Sequence, residues 1–256
     1  MAALVKRATS LSVPPPLPMT VSVKVRHEEM ALVQGWDDTK SALRSWRAEP
    51  SRVLVPWVLG SVVVALLLLV ATWVIATVST PDATGIGFPG VTSEVTIADY
   101  GFVLFRNSLV LALHALACVA GFIAGSSLPQ IADGYSGIVR RLHELARPLA
   151  IGFVAAATLF SLATQAIILG QDTATIAHQF GLPPAQLLGI LSLHAIPELT
   201  ALFLPLAAWT MASRRKQWED LLAATFATLM VSIPVVLAAA AIEVWVTPRV
   251  LLWVLR

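Results

Sequence analysis

The stretch VLVPWVLGSVVVALLLLVATWVIATV, residues 53–78, decides the fold class, because it runs for 26 residues without a charged side chain. A helix needs about 20 predominantly apolar residues to cross the hydrocarbon core of a bilayer. The stretch therefore predicts a transmembrane helix.

The composition of the whole chain extends this prediction to the rest of the protein. Of its 256 residues 57% are hydrophobic and 12% are charged, whereas soluble domains carry about 25% charge. The mean hydropathy is +0.79. These values exclude soluble enzymes, disordered chains and disulfide-rich scaffolds, and the single cysteine, Cys118, excludes an intrachain disulfide. The net charge of +2 comes from scattered residues, so no nucleic-acid partner is expected.

Four further apolar stretches are long enough to span a bilayer. The sequence therefore predicts an all-α, polytopic membrane helix bundle in direct contact with lipid. Its transmembrane domain covers residues 53–256, and the expected spans are 53–78, 107–125, 148–170, 187–211 and 221–247. The segment from Val250 is too short to span and is expected to lie at the interface or to cap the bundle.

The chain before the first span divides into two parts. Residues 1–26 contain a proline-rich stretch and are expected to form a disordered cytoplasmic tail. Residues 27–52 place apolar side chains at helical spacing among basic ones, which predicts an amphipathic helix along the membrane interface; a loosely helical linker is the alternative. A second amphipathic segment, 134–146, is either a docking element for a cytoplasmic partner or an interfacial connector.

The distribution of basic residues predicts the orientation. Fourteen of the 17 Lys and Arg residues lie before residue 53 or in the 126–147 and 212–220 loops. Cytoplasmic loops carry the excess of basic residues. We therefore expect a multi-pass protein of the bacterial cytoplasmic membrane, with its N-terminus cytoplasmic and its C-terminus extracytoplasmic.

Small residues recur every four positions in the second span, at Ala117, Gly121 and Gly125. This pattern allows another helix to approach closely. The neighbour is a helix of the same chain or of a second copy, and a homodimer is the simplest oligomer that the pattern predicts.

Polar residues inside the spans require an explanation, because placing an ionisable group in hydrocarbon costs free energy. His194 and Glu198 are four residues apart and share a helical face, while Pro197 between them frees the carbonyl of Leu193. The other intramembrane polar residues are Asn107, His114, Gln165 and Glu243.

The depth of these residues predicts a common pocket. At about 1.5 Å per residue, they all fall near the middle of the bilayer or in its outer half. We expect His194, Glu198 and Glu243 to converge, with His194 as the partner of Glu243. The pocket is a structural clasp, a proton or ion site, a divalent-metal site with these three residues as ligands, or a catalytic site. No catalytic motif is present, so no catalytic residue is assigned, the chain is not expected to be an enzyme, and no cofactor is expected other than that metal.

Three segments resemble the stage II sporulation protein M family. They are FRNSLVLALHALACVAGFIAGSSLPQIADG (105–134), LHAIPELTALFLPLAAW (193–209) and AAAAIEVWVTP (238–248). The order and spacing of these segments agree with those of the family's motifs over residues 105–250. Ala195, Ser108 and Asp133 depart from the usual Gly, Asn and Asn, so helix packing at 195 is expected to be slightly looser.

The resemblance implies an integral membrane scaffold without catalytic activity, which anchors or organises membrane or extracytoplasmic protein partners. The alternative function is a permease subunit that uses the polar pocket and works with a cytoplasmic ATPase docked at 134–146. A membrane-embedded hydrolase is a weaker third hypothesis.

Overall fold

A computed structural model describes residues 24–127 and 136–256 of the chain. In this part of the chain, five helical segments are long and apolar enough to cross a membrane, which confirms the predicted all-α bundle. Most of the expected disordered tail, 1–26, lies outside the described residues. The helices are α1 (Lys24–Ala48), α2 (Pro50–Val78), α3 (Ile97–Phe122) with the π-helical turn Ile123–Ser127, α4 (Gly137–Gln179), α5 (Pro184–Arg215), α6 (Leu221–Ala241) with the π-helical turn Ile242–Val246, and α7 (Thr247–Val254).

Helix α5 is the centre of the bundle. Residues 201–209 are all buried, as expected for a segment that is apolar on every side. Helix α5 packs against α2, α3 and α6, whereas α4 packs mainly against α2. The outer helices therefore keep long lipid-facing surfaces, and the side chains between them and α5 form the core.

Pro205 shapes the contacts of α5 with its neighbours. A proline inside a helix removes the N–H that would bond the carbonyl four residues earlier, which here belongs to Ala201. The hydroxyl of Ser232 on α6 donates to that carbonyl at 2.6 Å. Beside it, Nδ1 of His114 on α3 lies 2.8 Å from the Leu202 carbonyl oxygen. Side chains from two helices therefore bond adjacent carbonyls of α5, of which the one at Ala201 has lost its helical partner to Pro205.

Helix α4 is longer than the sequence predicted. It runs from Gly137 to Gln179 without a break, so it joins the described part of the amphipathic segment to the third span and extends nine residues beyond the predicted end at residue 170. The predicted boundary at residue 148 was wrong because both parts have helical periodicity and Pro148 lies inside the helix without ending it. Gly181 follows the end of the helix with φ +65, a conformation that glycine adopts without strain. The first two residues of the predicted amphipathic segment, 134 and 135, lie outside the described residues.

The ends of other helices also differ from the predicted bounds. The interfacial helix α1 ends at Ala48 and not at residue 52, because Pro50 opens α2 as a first-turn proline. Helix α3 begins at Ile97, ten residues before the predicted span, where Thr96 and Asp99 form a capping box. The last residues form α7, and Leu251 is fully buried in a cluster with Ala177 and Leu187, so this segment caps the bundle.

Candidate functional site

A polar cavity lies inside the bundle near the end that carries the 79–96 connector. It has a volume of about 210 Å³, enough for several water molecules. Helices α2, α3, α4 and α5 and the π-helical turn of α6 all contribute to its wall. Its polar lining consists of Thr72, Arg106, Asn107, Asp172, Thr173, His194, Glu198 and Glu243.

Four of the predicted pocket residues therefore meet in one cavity: Asn107, His194, Glu198 and Glu243. His194 and Glu198 face it together because they are one turn apart on α5, which continues through Pro197. Glu243 enters from the π-helical turn Ile242–Val246. Such turns insert one residue into a helix, change the direction of side chains and occur frequently at functional sites.

The charges in the cavity are unbalanced. The carboxyl groups of Glu198 and Glu243 are close enough to interact with one another, and the Arg106 guanidinium acts on both of them. Asp172 on α4 also interacts with Arg106. Two neighbouring carboxylates in a poorly solvated site repel each other unless a proton or another cation lies between them. The lining is therefore suited to a positively charged occupant.

The partner of His194 is Thr247, and not Glu243 as the sequence predicted. Nδ1 of His194 lies 2.9 Å from the Thr247 hydroxyl oxygen. Thr247 is fully buried at the start of α7, and the preceding π-helical turn sets its position. The bond orients the imidazole and leaves Nε2 as the ring nitrogen that can interact with an occupant of the cavity.

Three polar atoms that belong to cavity-lining residues have no hydrogen-bond partner among the described residues. They are Oγ1 of Thr72, Nδ2 of Asn107 and Oε2 of Glu198. Thr72 is 2% exposed and Asn107 is 8% exposed, so solvent outside the protein does not reach them freely. Buried polar groups are nearly always hydrogen-bonded, and here the side chains of Asn107 on α3 and Glu198 on α5 are close enough to interact.

Two other predicted pocket residues lie elsewhere. His114 is fully buried and bonds the backbone of α5 at Leu202, with its ring against Phe203. Gln165 donates from Nε2 to the Ser161 hydroxyl on its own helix at 3.0 Å. Both predictions were wrong because depth in the membrane does not tell which side of a helix faces the centre of the bundle.

The small-residue stripe packs inside the chain. A methyl group added at Gly121 would lie 2.6 Å from Nε1 of Trp209, and one added at Gly125 would lie 2.2 Å from the Trp218 ring. Ala117 is also buried, at 7% exposure. The stripe therefore accommodates aromatic side chains of the same molecule and gives no reason for a dimer, which stays a prediction.

The metal alternative is not supported by the geometry. Among the described residues, no three His, Cys, Asp or Glu side chains are arranged to hold one ion. His194, Glu198 and Glu243 line the same cavity, yet His194 uses one ring nitrogen for Thr247. The candidate ligand set is therefore incorrect for a directly coordinated metal.

Sequence reasoning missed four polar residues of the lining: Thr72, Arg106, Asp172 and Thr173. Arg106 directly precedes Asn107 but was assigned to a loop, because the predicted start of the span was ten residues late. Asp172 and Thr173 were placed in a loop for the corresponding reason at the end of α4. Thr72 is a lone hydroxyl in an apolar run, and no sequence signal distinguishes it from Thr77, which bonds its own helix.

The 79–96 connector covers the cavity end of the bundle. Phe88 lines the cavity and makes an edge contact with Phe180, with ring centroids 6.2 Å apart. The backbone N–H of Ile86 donates to the Gln179 side chain at 3.0 Å. Hydrogen bonds from the Thr84 backbone and hydroxyl hold the pKa of Asp82 below its usual value. The connector is therefore an ordered cover attached to α4.

Comparison with protein-family models, curated proteins and solved structures found no match for this chain. The resemblance to the stage II sporulation protein M family therefore stays a prediction that depends on the three quoted segments.

Proposed function

We propose that the protein is a permease-type membrane component whose cavity binds a small cation bearing an ammonium group. The observation that carries this proposal is that the carboxyl groups of Asp172, Glu198 and Glu243 line one cavity, whereas Arg106 is the guanidinium group in that lining. A structural clasp would balance these charges within the lining. A binding site leaves the excess negative charge for a ligand.

The polar groups that line the cavity favour an ammonium group over a bare metal ion as the ligand. An ammonium group needs acceptor oxygens in a few directions, which the hydroxyl of Thr72 and the carboxyls of Glu198, Glu243 and Asp172 provide. A divalent metal needs a closed shell of ligands, and the described residues lack such a cluster. Arg106 and the Asn107 amide add donors for a polar group on the same ligand.

Binding is coupled to proton release in this proposal. Without a ligand, one proton compensates the charge of the Glu198–Glu243 pair. When the cation enters, this proton leaves for the aqueous side, so that the charge in the cavity is conserved. His194 is positioned by Thr247 to accept the proton at Nε2 and pass it on.

The proposed orientation places the cavity in the outer half of a bacterial cytoplasmic membrane. Support comes from the excess of Lys and Arg at the opposite end of the bundle. Cysteines introduced at Glu94 and Arg215 test this orientation. The native Cys118 is buried and is not expected to react with the reagent. We expect Glu94→Cys to react with an impermeant thiol reagent in intact cells and Arg215→Cys to react after permeabilisation. The reverse pattern would invert the topology.

Thermal unfolding of the purified protein tests the ligand class. Methylammonium chloride is compared with tetramethylammonium chloride, which has no N–H, at equal ionic strength. We expect methylammonium alone to stabilise the protein, by about 2.7 kcal/mol at a hundredfold excess over Kd. The double change Glu198→Gln/Glu243→Gln should abolish this effect, whereas Glu94→Gln, at an exposed acid of the connector, should retain it. Equal unfolding in both salts for all variants would contradict the proposal.

Single changes at Glu243 separate binding from assembly. Gln retains hydrogen bonding without charge, so Glu243→Gln should leave folding intact. It should abolish the proton release that follows addition of methylammonium, which a pH-sensitive dye measures. Glu243→Leu should destabilise the protein because Glu198 then loses its polar neighbour. If Glu243→Gln retains full proton release, the pair does not hold the exchangeable proton and the proposed coupling is wrong.

The scaffold function implied by the family resemblance is the second candidate. The feature that favours it is the start of α4, where Ile138, Leu142 and Leu145 are 84%, 67% and 59% exposed on one helical face. This face suits a protein partner, a cytoplasmic ATPase included. Photo-crosslinking from position 142, with Arg141 on the same exposed turn as the control, tests it. Crosslinks to lipid alone would remove this support, and crosslinks to a second copy would support the predicted homodimer.

A further inference from the structure

A second polar pocket lies at the opposite end of the bundle from the cavity. It has a volume of about 200 Å³, and Arg52, Arg215, Gln217, Trp46 and Trp57 contribute to its lining. We call it the arginine pocket. Asp220 is the carboxylate in the lining, Glu49 pairs with Arg52 beside it, and Glu219 and Asp38 are close enough to act on Asp220.

An apolar groove continues from the arginine pocket along the bundle. The groove has a volume of about 800 Å³ and runs between α2, α4 and α5. Pro56 and Met211 line both spaces. The walls of the groove are aliphatic, and Leu59 and Leu159 in them are 60% and 67% exposed. Arg214 is the charged residue of the groove lining.

The arginine pocket and the groove together match the two parts of a phospholipid, a polar headgroup and an apolar acyl chain. Guanidinium groups bind phosphate through paired hydrogen bonds, and basic pockets between transmembrane helices bind anionic headgroups. Trp46 and Trp57 pack edge to face with centroids 5.4 Å apart, and tryptophan is enriched at the level of the headgroups. The groove next to them has the apolar walls that an acyl chain needs.

The guanidinium groups are accessible to a headgroup. Arg52 pairs with Glu49 at 3.3 Å, but their side chains are 83% and 66% exposed, and such exposed pairs are weak. Arg215 is exposed as well. We propose that the arginine pocket and the apolar groove together form a binding site for one anionic phospholipid, with the phosphate at Arg52 and Arg215 and an acyl chain in the groove. This inference is independent of the proposed cation site.

Native mass spectrometry of the purified full chain tests the headgroup site, with phosphatidylglycerol and phosphatidylcholine of identical acyl chains as probes. Because each arginine near an anionic lipid contributes roughly fivefold, phosphatidylglycerol should bind about 25-fold more tightly than phosphatidylcholine. Arg52→Gln/Arg215→Gln should abolish this preference. Arg44→Gln, at an exposed arginine outside the pocket, should retain it. Equal binding of both lipids by the unmodified protein, or an equal loss in Arg44→Gln, would overturn the proposal.

A second pair of variants tests the acyl-chain site. Ala155 lines the groove and its neighbour Ala156 is exposed. Ala155→Phe should fill the groove and displace phosphatidylglycerol, whereas Ala156→Phe should not. Glycerol 3-phosphate, which has the phosphate without acyl chains, should not compete. Competition by glycerol 3-phosphate, or a dimer that buries the groove in place of lipid, would overturn the proposal. If Ala155→Phe fails to fold, the changes Arg52→Gln/Arg215→Gln still test the proposal, because they lie at exposed positions.

Discussion

Nδ1 of His194 lies 2.9 Å from Oγ1 of Thr247, and this contact joins the central helix α5 to the cap helix α7 beside the polar cavity. Both residues are buried. The contact therefore ties the imidazole that faces the cavity to the segment that follows Glu243, so that the geometry of the site depends on how α7 packs.

Thr247→Val should destabilise the protein by about 1 kcal/mol, because it keeps the shape of the side chain and removes one interhelical hydrogen bond in the membrane. Thr247→Ser retains the hydroxyl and should lose less. Thermal unfolding in a mild detergent measures both variants. Equal melting temperatures for the Val variant and the native protein would show that this bond does not stabilise the cap.

Ser232→Ala should cost about 1–3 kcal/mol, because it leaves the Ala201 carbonyl without a partner in a buried site where Pro205 has already removed the helical one. Ser61 is the matched control: it is equally buried, but its hydroxyl bonds carbonyls of its own helix, at Trp57 and Val58. Chemical denaturation should rank Ser232→Ala well below Ser61→Ala in stability. The opposite ranking would mean that the interruption at Pro205 needs no side-chain donor.

Gly121→Ala should destabilise the monomer by about 1–3 kcal/mol, because the new methyl group would lie 2.6 Å from Trp209 and 2.9 Å from Leu221. Gly101 on the same helix has nothing within 4 Å of that position, so Gly101→Ala should stabilise the helix by about 0.5–1 kcal/mol. Thermal unfolding and size-exclusion chromatography are measured together. A Gly121→Ala protein with normal stability but altered oligomeric state would place the stripe at an interface between copies.

Asp220 gives the protein a pH dependence with a definite sign. Burial, together with the neighbouring carboxylates of Glu219 and Asp38, raises its pKa above the ordinary 3.8. A raised carboxyl pKa means that the folded state binds the proton more tightly, so this contribution to stability is present below about pH 3.8 and is lost as pH rises through the raised pKa. The melting temperature of Asp220→Asn minus that of the native protein should therefore increase from pH 4 to pH 7. The exposed Asp37, paired with Lys40 at 3.5 Å, provides the control change Asp37→Asn, and a parallel increase for both variants would contradict this account.

The candidate site was partly predictable for a specific reason. His194 and Glu198 share a face of one helix by spacing alone, and an acid deep in a span, such as Glu243, needs a polar neighbour. His114 satisfied the same criteria of residue type and depth. It lies instead against the α5 backbone, with Nδ1 2.8 Å from the Leu202 carbonyl oxygen, and that role requires knowing which helix lies opposite.

The ends of the helices were predicted less well than their centres. Arg106 and Asp172 belong to α3 and α4 and reach the cavity, although charge and polarity in the sequence suggested loops. Near the end of a span a charged residue can remain helical, because its side chain turns toward a hydrated interior instead of toward lipid.

The sequence by itself determined that the protein is a bundle of five membrane-spanning helices, because hydrocarbon leaves no partner for an exposed backbone and a span needs about 20 apolar residues. It also determined that His194 and Glu198 lie on one face. Only the tertiary structure decided that this face meets Glu243, Asn107 and Arg106 and that His194 bonds Thr247. The physical reason is that periodicity fixes positions around one helix axis, whereas the rotation and pairing of helices follow from side-chain packing and from local interruptions such as Pro205 and the π-helical turn at Glu243.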